Sequence, residues 1–564
     1  MNKTKTELHF TREQEKKIFL FLENCFRQKI AGRKSAGQGS WRLGKTLNYD
    51  KVYLTVIRDG HIYCCQSGKA DPKAKNRLRR DLEIAVHDCL ADDRFGKKIT
   101  PQEISHCHLV LEFFYNKTPL KKSPAAELQH QIVTGLNALE IINRDKRAYY
   151  KSAVMIEKNL ELPDTLIKLR KKAHLPQDAL KNPATRLYKF DTVSFLKTPQ
   201  GKIIDLFRCN PYPFPEPEKI NRREVITHLK LGTQWIKNNL NPKTGLPEYV
   251  YFPSKKSYAH HPNQLRILGL SWGATLMSEF LRMPQLKSIS KTIVQKYLAQ
   301  YKKSGKSGCY LLIDGQAKIS YNAFLILSLL ELKNYPGRLV LLKKLAEAIL
   351  SRQLPDGSFY TDFEKNTRHK SDFYPGEVML ALIILNRHYP NPRYLAAVQQ
   401  AFPYYRNYWR NNRTTAFIPW HTQVYYQLYL ETKNPQLPKF IFEINDWLAK
   451  KQITGHTQPD QFGAFLPKPS INTSSYLEGL ADAWKMASII KDKKHMEQYL
   501  RAVRQATAFI LRTQYTRENS FYLTDPEKAV GGFRKSLTKN IERCDFVQHA
   551  CVALIKTLKY GIFR

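Results

Sequence analysis

The C-terminal two-thirds of the chain repeats one structural unit six times. From about residue 222 onward there is almost no strand-forming run, and a polar-flanked helix, a turn, a short aromatic segment and a very apolar helix recur instead. The repeat length, about 45 to 65 residues, is typical of stacked supersecondary units. The six apolar helices are predicted to begin near Asn263, Ser320, Tyr374, Trp420, Ser474 and Cys544.

The two helices of a unit differ in character, which predicts where each lies. The second helix is apolar nearly all round and is therefore expected to be buried, whereas the first is amphipathic and is expected to cover it from outside. Six such antiparallel pairs would close an α/α toroid, with six inner and six outer helices. The inner helices would all run in one direction, so the loops before their N-termini would form the mouth of a concave site.

The N-terminal third has a different pattern. It begins with an amphipathic helix over residues 11–30 and a β-hairpin around Asp59-Gly60. A helix, further strands and a short helix follow, which predicts an α+β unit with an antiparallel sheet. Four prolines between Pro211 and Pro217 indicate an extended, semi-rigid linker. The predicted fold class is thus multidomain: an α+β domain (1–208), a Pro-rich linker (209–221) and an all-α (α/α)6 toroid (222–564).

Composition and net charge indicate which partners the protein could bind and in which cellular compartment it would lie. The chain of 564 residues has a net charge of +42. Residues 1–220 carry 41 basic and 25 acidic side chains, and residues 221–564 carry 50 and 24, so the excess is even along the chain. An excess of positive charge spread evenly along the chain attracts anions of many kinds. It does not specify nucleic acid, and we do not predict a nucleic-acid partner. Nine scattered cysteines without a CxxC predict reduced thiols and a cytoplasmic location, and no apolar run predicts a membrane span.

Three N-terminal segments resemble the AMMECR family of small α+β domains. They are IYCCQSG (62–68), CLADDRF (89–95) with the following ITPQEISHCHLVLEF, and IVTGLNALEI with DTLIKLRKKAHLP. The resemblance covers about residues 8–200 and implies the fold of that family. Within the family's glycine-centred motif, Tyr63 stands at the arginine and Cys64 at a glycine, while Cys65 and Gly68 match. An activity that needs the intact motif is therefore not implied.

The C-terminal part resembles the α/α toroid superfamilies. These are the terpenoid cyclases with the protein prenyltransferase β-subunits, and the six-hairpin glycosidases, uronate epimerases and polysaccharide lyases. Gln353-x3-Gly357-x-Phe359 is similar to the QW repeat of the cyclases, and Gln514 before Asn519-Ser520-Phe521 is a looser echo. The aspartate-rich DxDD motif of the cyclases does not occur, which argues against that activity.

Residues at the predicted starts of the inner helices form the candidate site. Carboxylates there could supply acid/base groups, aromatic rings could stack on a sugar, and cationic groups could hold an anion. The predicted catalytic residues are Glu377, Glu478 and Asp545. The predicted binding residues are His260, His261, Arg266, Tyr321, Asn322, Tyr374, Trp420, His421, Tyr476, Arg543 and His549.

Each of these residues also has a structural interpretation. Glu377 follows Pro375 in a first helical turn, where an acid is favoured by the helix dipole, and Asp545 also opens a helix. His260 and His261 are consistent with surface positions in a loop. Glu478 lies deeper in an apolar helix, where an unpaired charge would be costly.

The predicted function is that of a carbohydrate-active enzyme of the hydrolase, lyase or epimerase type, acting on an anionic glycan. Two alternatives stay open: a non-catalytic module that binds a polyanion or peptide, and a zinc-dependent transferase. For the latter, Asp545 and His549 share a helix face and could join Cys544 or His421 around zinc. No metal ligand set is assigned, and the sequence specifies no cofactor.

Overall fold

A computed structural model describes residues 8–32, 47–69, 76–121, 125–455 and 458–564. The N-terminal helices are α1 (Arg12–Ile30), α2 (Arg77–Leu90), α3 (Pro101–Ile104), α4 (Ala125–Gln131), α5 (Ala153–Glu157) and α6 (Leu162–Lys172). The strands are β1 (Lys51–Arg58), β2 (His61–Ser67), β3 (His108–Pro119), β4 (Asn137–Asn143), β5 (Lys146–Tyr150), β6 (Arg186–Lys197), β7 (Ile203–Phe207) and β8 (Asn210–Tyr212).

These strands form the predicted antiparallel sheet, in the order β2-β1-β3-β6-β4-β5, with β7 paired to β6 and β8 to β7. The hairpin at Asp59-Gly60 is confirmed, and both residues have the positive φ of a tight two-residue turn, 48° and 70°. Strand β8 lies inside the predicted linker, where Asn210 is buried and accepts a hydrogen bond from Arg534 Nη2 at 2.7 Å. The domain boundaries stay predictions.

The structure pairs two cysteines that we expected to be reduced. Cys64 on β2 and Cys89 on α2 form a disulfide, with their Cα atoms 5.2 Å apart. The expectation was wrong because α2 packs on β2 and brings together side chains 25 positions apart. Cys65 points to the opposite face of the strand and is partly exposed, as the alternation of a strand requires.

The toroid helices alternate between outer and inner positions along the chain. They are α7 (Arg222–Asn238), α8 (Gln264–Leu281), α9 (Pro284–Tyr301), α10 (Ile319–Glu331), α11 (Arg338–Leu350), α12 (Tyr374–His388), α13 (Pro392–Asn411), α14 (Ile418–Thr432), α15 (Gln436–Ala449), α16 (Thr473–Ile490), α17 (Lys493–Thr513), the short α18 (Pro526–Ala529) and α19 (Cys544–Lys559). Short strands add β9 (Val250–Phe252), β10 (Ser257–Tyr258), β11 (Lys302–Gly305), β12 (Gly308–Leu311), β13 (Arg534–Ser536) and β14 (Lys539–Arg543). The sheets are β10-β9-β14-β13 and β11-β12.

The inner helices close a ring. Helices α8, α10, α12, α14, α16 and α19 each pack against the next, and α19 packs back on α8. Leu268, Leu325, Val378 and Leu480 are completely buried, which fits the all-round apolar pattern that predicted these helices. The (α/α)6 toroid is the fold of this part of the chain.

The outer helices are offset by one unit from the prediction. We expected each to cover the inner helix that follows it, but α9 packs mainly on α8, α17 on α16, and α7 on α19. The last of these contacts is tight, because a Cβ added to Gly232 of α7 would lie 2.5 Å from Cys551 Sγ of α19. The first outer helix therefore closes the ring on the last inner one.

A glutamine and a Gly-x-Phe turn join successive outer helices. Gln353 Nε2 donates to the carbonyl oxygen of Gly357 at 3.2 Å and to that of Ala397, on α13, at 2.8 Å. Gly357 has φ +87°, and a Cβ there would lie 2.2 Å from the carbonyl oxygen of Gln400 on the same helix. The turn thus requires glycine for both conformation and space.

The same arrangement recurs at Gln452, which the sequence motif did not indicate, and at Gln514, which it did. Gln452 donates to Gly463 and Ala502, and Gln514 donates to Gly531 and His228. The partner turn of Gln514 is therefore Gly531-x-Phe533, which corrects the predicted Asn519-Ser520-Phe521. The spacing from glutamine to glycine is 4, 11 and 17 residues in the three cases, so a fixed-spacing motif finds only the first.

Gly357→Ala is expected to lower the free energy of unfolding by about 2 to 4 kcal/mol, from the left-handed backbone and the carbonyl clash together. Gly315→Ala is the matched control, because Gly315 also has positive φ (+70°) but has nothing within 4 Å of the added Cβ. That control isolates the backbone cost of about 1 to 2 kcal/mol. Urea unfolding of both variants measures the difference, and equal losses would rule out the clash.

The N-terminal domain sits on loops that precede inner helices. Asn540 Nδ2 donates to the carbonyl oxygen of Ile156, Ser254 Oγ donates to that of Glu157 at 2.8 Å, and Arg208 forms a buried ion pair with Asp460. The largest apolar core continues across this contact, from N-terminal residues such as Val110 and Ile204 into the toroid. The two parts are therefore packed as one body at the mouth end of the ring.

Candidate functional site

A cavity of about 190 Å³ lies at the N-terminal ends of the inner helices. It brings together residues from α8, α14, α16 and α19, which are distant in sequence. Its walls contain these predicted site residues: Arg266, Trp420, Tyr476, Arg543, Asp545 and His549. The mouth of the ring is thus a concave site lined by cationic, acidic and aromatic side chains.

The histidine at this cavity is held by a buried carboxylate. His549 Nδ1 lies 2.6 Å from Glu478 Oε1, and the Glu478 side chain is 1% exposed. A charged carboxylate in an apolar helix is costly unless it is paired, and His549 is the residue that pairs with Glu478. With Nδ1 used in this contact, Nε2 is the ring nitrogen left for a ligand, and no described residue bonds to it. A histidine oriented in this way can accept or donate a proton at a defined position.

Two arginines converge on Asp545. Arg543 donates to it through both Nε (2.8 Å) and Nη2, and Arg266 Nε lies 3.6 Å away. Burial would raise the pKa of Asp545, but the hydrogen bond from Arg543 and the charge of Arg266 hold it below its ordinary value. Asp545 is therefore an ion-pair partner with a stable negative charge, and the pair of guanidinium groups leaves this wall with a net positive charge.

Glu377 lies in the first turn of α12, and it is almost completely buried, at 1% exposure. Its Oε2 atom has no hydrogen-bond partner among the described residues. Burial raises the pKa of Glu377, and contact with Ser320 and the charges of Arg266 and His549 only partly oppose this shift. Of the three predicted acids, Asp545 borders the cavity, Glu478 contacts His549 behind its wall, and Glu377 borders neither the cavity nor His549.

The raised pKa of Glu377 gives a pH test. The native state holds the proton more tightly than the unfolded chain, so Glu377 costs stability as pH rises from its ordinary range through the folded-state pKa. Glu377→Gln removes that cost. We therefore expect its urea midpoint, relative to the parent protein, to increase between pH 4 and pH 8. A difference that does not change with pH would contradict the assignment.

Aromatic rings form the remaining wall. Trp420 lies 5.9 Å from the His549 ring and packs on Trp272 and Phe324 behind it. The Tyr476 hydroxyl is 2.9 Å from Thr415 Oγ1, which fixes that ring at the rim. Rings held on one side and open to the cavity on the other can stack on an apolar ligand face.

Several predicted residues lie elsewhere. His260 and His261 are exposed in the loop before α8 and do not border the cavity. Asn322 is completely buried and donates to the carbonyl oxygens of Cys309 and Leu345, so its amide joins α10 to β12 and α11. Tyr321 is buried beside it, and burial raises its pKa.

Two others lie next to the cavity wall. Tyr374 is half-buried, and burial together with the charge of Glu377 raises its pKa to about 12. His421 is completely buried, stacks on Phe417 at 3.5 Å, and contacts the Tyr425 hydroxyl at 2.9 Å. Burial keeps the pKa of His421 well below its ordinary value, so the ring is neutral.

A buried polar chain behind Glu478 was not foreseen. Lys556 Nζ donates to Gln423 Oε1 at 2.8 Å and to Asp482 Oδ2 at 2.6 Å, and the Tyr560 hydroxyl donates to Asp482 Oδ1 at 2.6 Å. Gln423 Nε2 in turn lies 3.4 Å from Glu478 Oε2. One signal was available in the sequence, because Glu478 and Asp482 are acids four residues apart on one apolar helix.

The residues that the structure describes contain no group of three or more His, Cys, Asp or Glu side chains that could hold a metal ion. Asp545, which could have joined His549 around zinc, is instead paired with the two arginines, and His549 is paired with Glu478. In the same part of the chain, no helix is long and apolar enough to cross a membrane.

Comparison with known proteins gave distant structural likeness only. No family model and no curated protein matches the chain. A D-mannose isomerase covers 61% of this chain and is itself matched over 100%, with 12% identity and a TM-score of 0.47. A cellobiose 2-epimerase of Bacillus thermoamylovorans covers 59%, is matched over 98%, and has 11% identity and a TM-score of 0.45.

A smaller structure was also found. An uncharacterized protein of Pyrococcus horikoshii covers 36% of this chain and is itself matched over 99%, with 16% identity and a TM-score of 0.32. Likeness at these levels assigns no activity to this chain. The resemblance of the N-terminal part to the AMMECR family stays a prediction, and the proposal below depends on the geometry of the cavity.

Proposed function

We propose that the toroid is a carbohydrate-active enzyme that moves a proton on an anionic sugar, with His549 as the acid/base group. The observation that carries this proposal is the contact between His549 Nδ1 and the buried Glu478, at 2.6 Å, at the wall of the mouth cavity. The carboxylate selects the tautomer with hydrogen on Nδ1 and stabilises the imidazolium once Nε2 has taken a proton.

The charges of the site support an anionic substrate. Arg266 and Arg543 face one carboxylate, Asp545, so one guanidinium charge is unbalanced at the wall. A guanidinium group is well suited to a carboxylate or a phosphate, because its donors match two acceptor oxygens. Trp420 and Tyr476 border the same cavity and would contact the sugar ring.

The positions of the acids favour an epimerase or lyase type of reaction over glycoside hydrolysis. Hydrolysis commonly uses two carboxyl groups that both face the glycosidic bond. Here Glu478 is bonded to His549 and Asp545 to Arg543, so neither is free for that role. His549 Nε2 would remove a proton from the substrate carbon and return it, and Glu377, which does not border the cavity, is given no role in this step.

A screen for turnover and binding tests the proposal. The parent protein and Glu478→Gln are incubated with neutral sugars, uronates and sugar phosphates in deuterium oxide, and exchange at carbon is followed by NMR. Exchange on an anionic sugar by the parent and its loss in Glu478→Gln are expected. If both proteins bind a panel ligand equally and neither exchanges or converts it, the toroid is a binding module.

A further inference from the structure

A second, larger cavity lies in the N-terminal domain, and no described residue lines both it and the mouth cavity. It has a volume of about 690 Å³ and is bordered by β2, by β5 with the segment after it, and by α6. Seven of its described lining residues are lysine or arginine, and Glu157 is the only acid among them. A cavity with so large an excess of one charge concentrates ions of the opposite sign.

Helix α6 presents much of this charge. Lys168, Lys171 and Lys172 border the cavity, and their spacing of three and four residues places them on one helix face. Lys172 donates to the carbonyl oxygen of Tyr149 at 3.0 Å. For Lys168 and Lys171, both exposed, no ion pair occurs with any residue that the structure describes. Their charges are therefore available to a ligand.

Besides Lys158, which is exposed, the other cations fall into two groups. Arg94 is paired with Asp92 at 2.7 Å and Arg147 with Glu140 at 3.1 Å, so these two mainly shape the wall. Lys151 lies deeper, at 8% exposure, and donates to Thr55 Oγ1 at 2.8 Å.

Lys151 supplies a fixed charge at the base of the cavity. Burial alone would lower its pKa, but neighbouring groups, first Cys65 and then Glu157, raise it above the ordinary value. An ammonium group has three donors, and one hydrogen bond with a described residue is observed. A buried, charged lysine with donors to spare is a feature of anion-binding sites.

We propose that this cavity, bordered by Lys151, Lys168 and Lys171, binds a small ligand with two or more phosphate groups. Its volume is in the range of small-molecule sites, about 300 to 1,000 Å³. Lysines bind phosphate as point charges without needing a fixed fork geometry. The rings of Tyr149 and Tyr150 also border the cavity and would contact a base or other flat group joined to the phosphates.

The chain contains its own reporter for this cavity. Cys65 borders it and is partly exposed, whereas the other six free cysteines are buried. Its Sγ lies 3.4 Å from Thr55 Oγ1, which also accepts from Lys151, so the thiol is next to the proposed anion position. A ligand held there would shield Cys65 from a reagent in solution.

The experiment measures alkylation of Cys65 by iodoacetamide, a neutral reagent, with Cys65→Ser identifying the labelled site. We expect tripolyphosphate and ATP to slow labelling in a saturable way, and orthophosphate to do so only at much higher concentration. Lys168→Gln/Lys171→Gln should weaken protection about tenfold, as the loss of two exposed charge contacts implies. Lys493→Gln/Lys494→Gln, an equal charge change on exposed lysines of α17, is the control.

The comparison of ligands distinguishes the source of the phosphates. Equal protection by tripolyphosphate and ATP would support a site for the phosphate chain alone, and tighter binding of ATP would support a nucleotide. Calorimetry on the same full-length proteins checks the affinities independently of the thiol. Absence of protection together with absence of heat would overturn the proposal, and so would an equal loss in both lysine variants.

Discussion

Arg208→Met is expected to lower the free energy of unfolding by about 3 to 5 kcal/mol, because it leaves the carboxylate of Asp460 buried without its partner. Both side chains are 2% exposed or less. Arg208 also donates to the carbonyl oxygen of Thr134 and to Gln458 Oε1. The substitution therefore disrupts both the N-terminal domain and its contact with the toroid. Urea unfolding followed by tryptophan fluorescence measures the loss.

A surface ion pair provides the matched control for Arg208. Arg387 lies 3.1 Å from Glu431, with side chains 40% and 29% exposed, so Arg387→Met is expected to cost about 1 kcal/mol or less. The double variant Arg208→Met/Asp460→Leu should recover part of the loss, since neither member of this ion pair then stays buried without the other. Equal effects of Arg208→Met and Arg387→Met would show that burial does not govern this contact.

His549→Gln is expected to reduce turnover of the substrate found in the screen by about 10²- to 10⁴-fold, the range for loss of a positioned acid/base group. Glu478→Gln should cause a loss of similar order, because glutamine cannot stabilise the imidazolium. Substrate affinity should change much less in both variants, since Arg266 and Arg543 are retained. Steady-state kinetics that separate kcat from KM, together with direct binding, measure this difference.

A second histidine–carboxylate pair serves as the control for His549. His495 Nδ1 lies 2.6 Å from Asp492 Oδ2 on the outer helix α17, so it has the same chemistry outside the mouth cavity. His495→Gln should leave turnover within about twofold of the parent protein, because His495 does not border the mouth cavity, although its side chain is only 15% exposed. A loss of turnover as large as that of His549→Gln would exclude a specific role for His549.

The repeat of apolar helices was sufficient to predict the toroid, because a helix without a polar face has to be buried. It also predicted that Arg266, Trp420 and His549, which come from different units, would meet at one end. Periodicity carries no information about which neighbour an outer helix covers, so the offset that places α7 on α19 was missed.

Partners distant in sequence account for the other differences. The disulfide between Cys64 and Cys89 depends on how α2 packs on β2. The bond between Glu478 and His549 joins residues 71 positions apart on different helices. The sequence indicated that a buried Glu478 would need a partner, but it could not identify His549 as that partner, and it did not predict the disulfide. The Gly-x-Phe turn that follows Gln452 was not predicted because the spacing from glutamine to glycine varies. The loop between Gln452 and Gly463 is longer than that between Gln353 and Gly357.

The closure of the ring by α7 has a consequence for the synthesis of the protein. Val225, Leu229, Trp235 and Ile236 on this helix are all completely buried. Trp235 donates to Glu542, which is 307 residues further along the chain. At about 5 to 20 residues per second, the ribosome needs roughly 15 to 60 seconds to add them. Throughout that interval α19 cannot cover the apolar face of α7, so this face gains its native cover only near the end of synthesis.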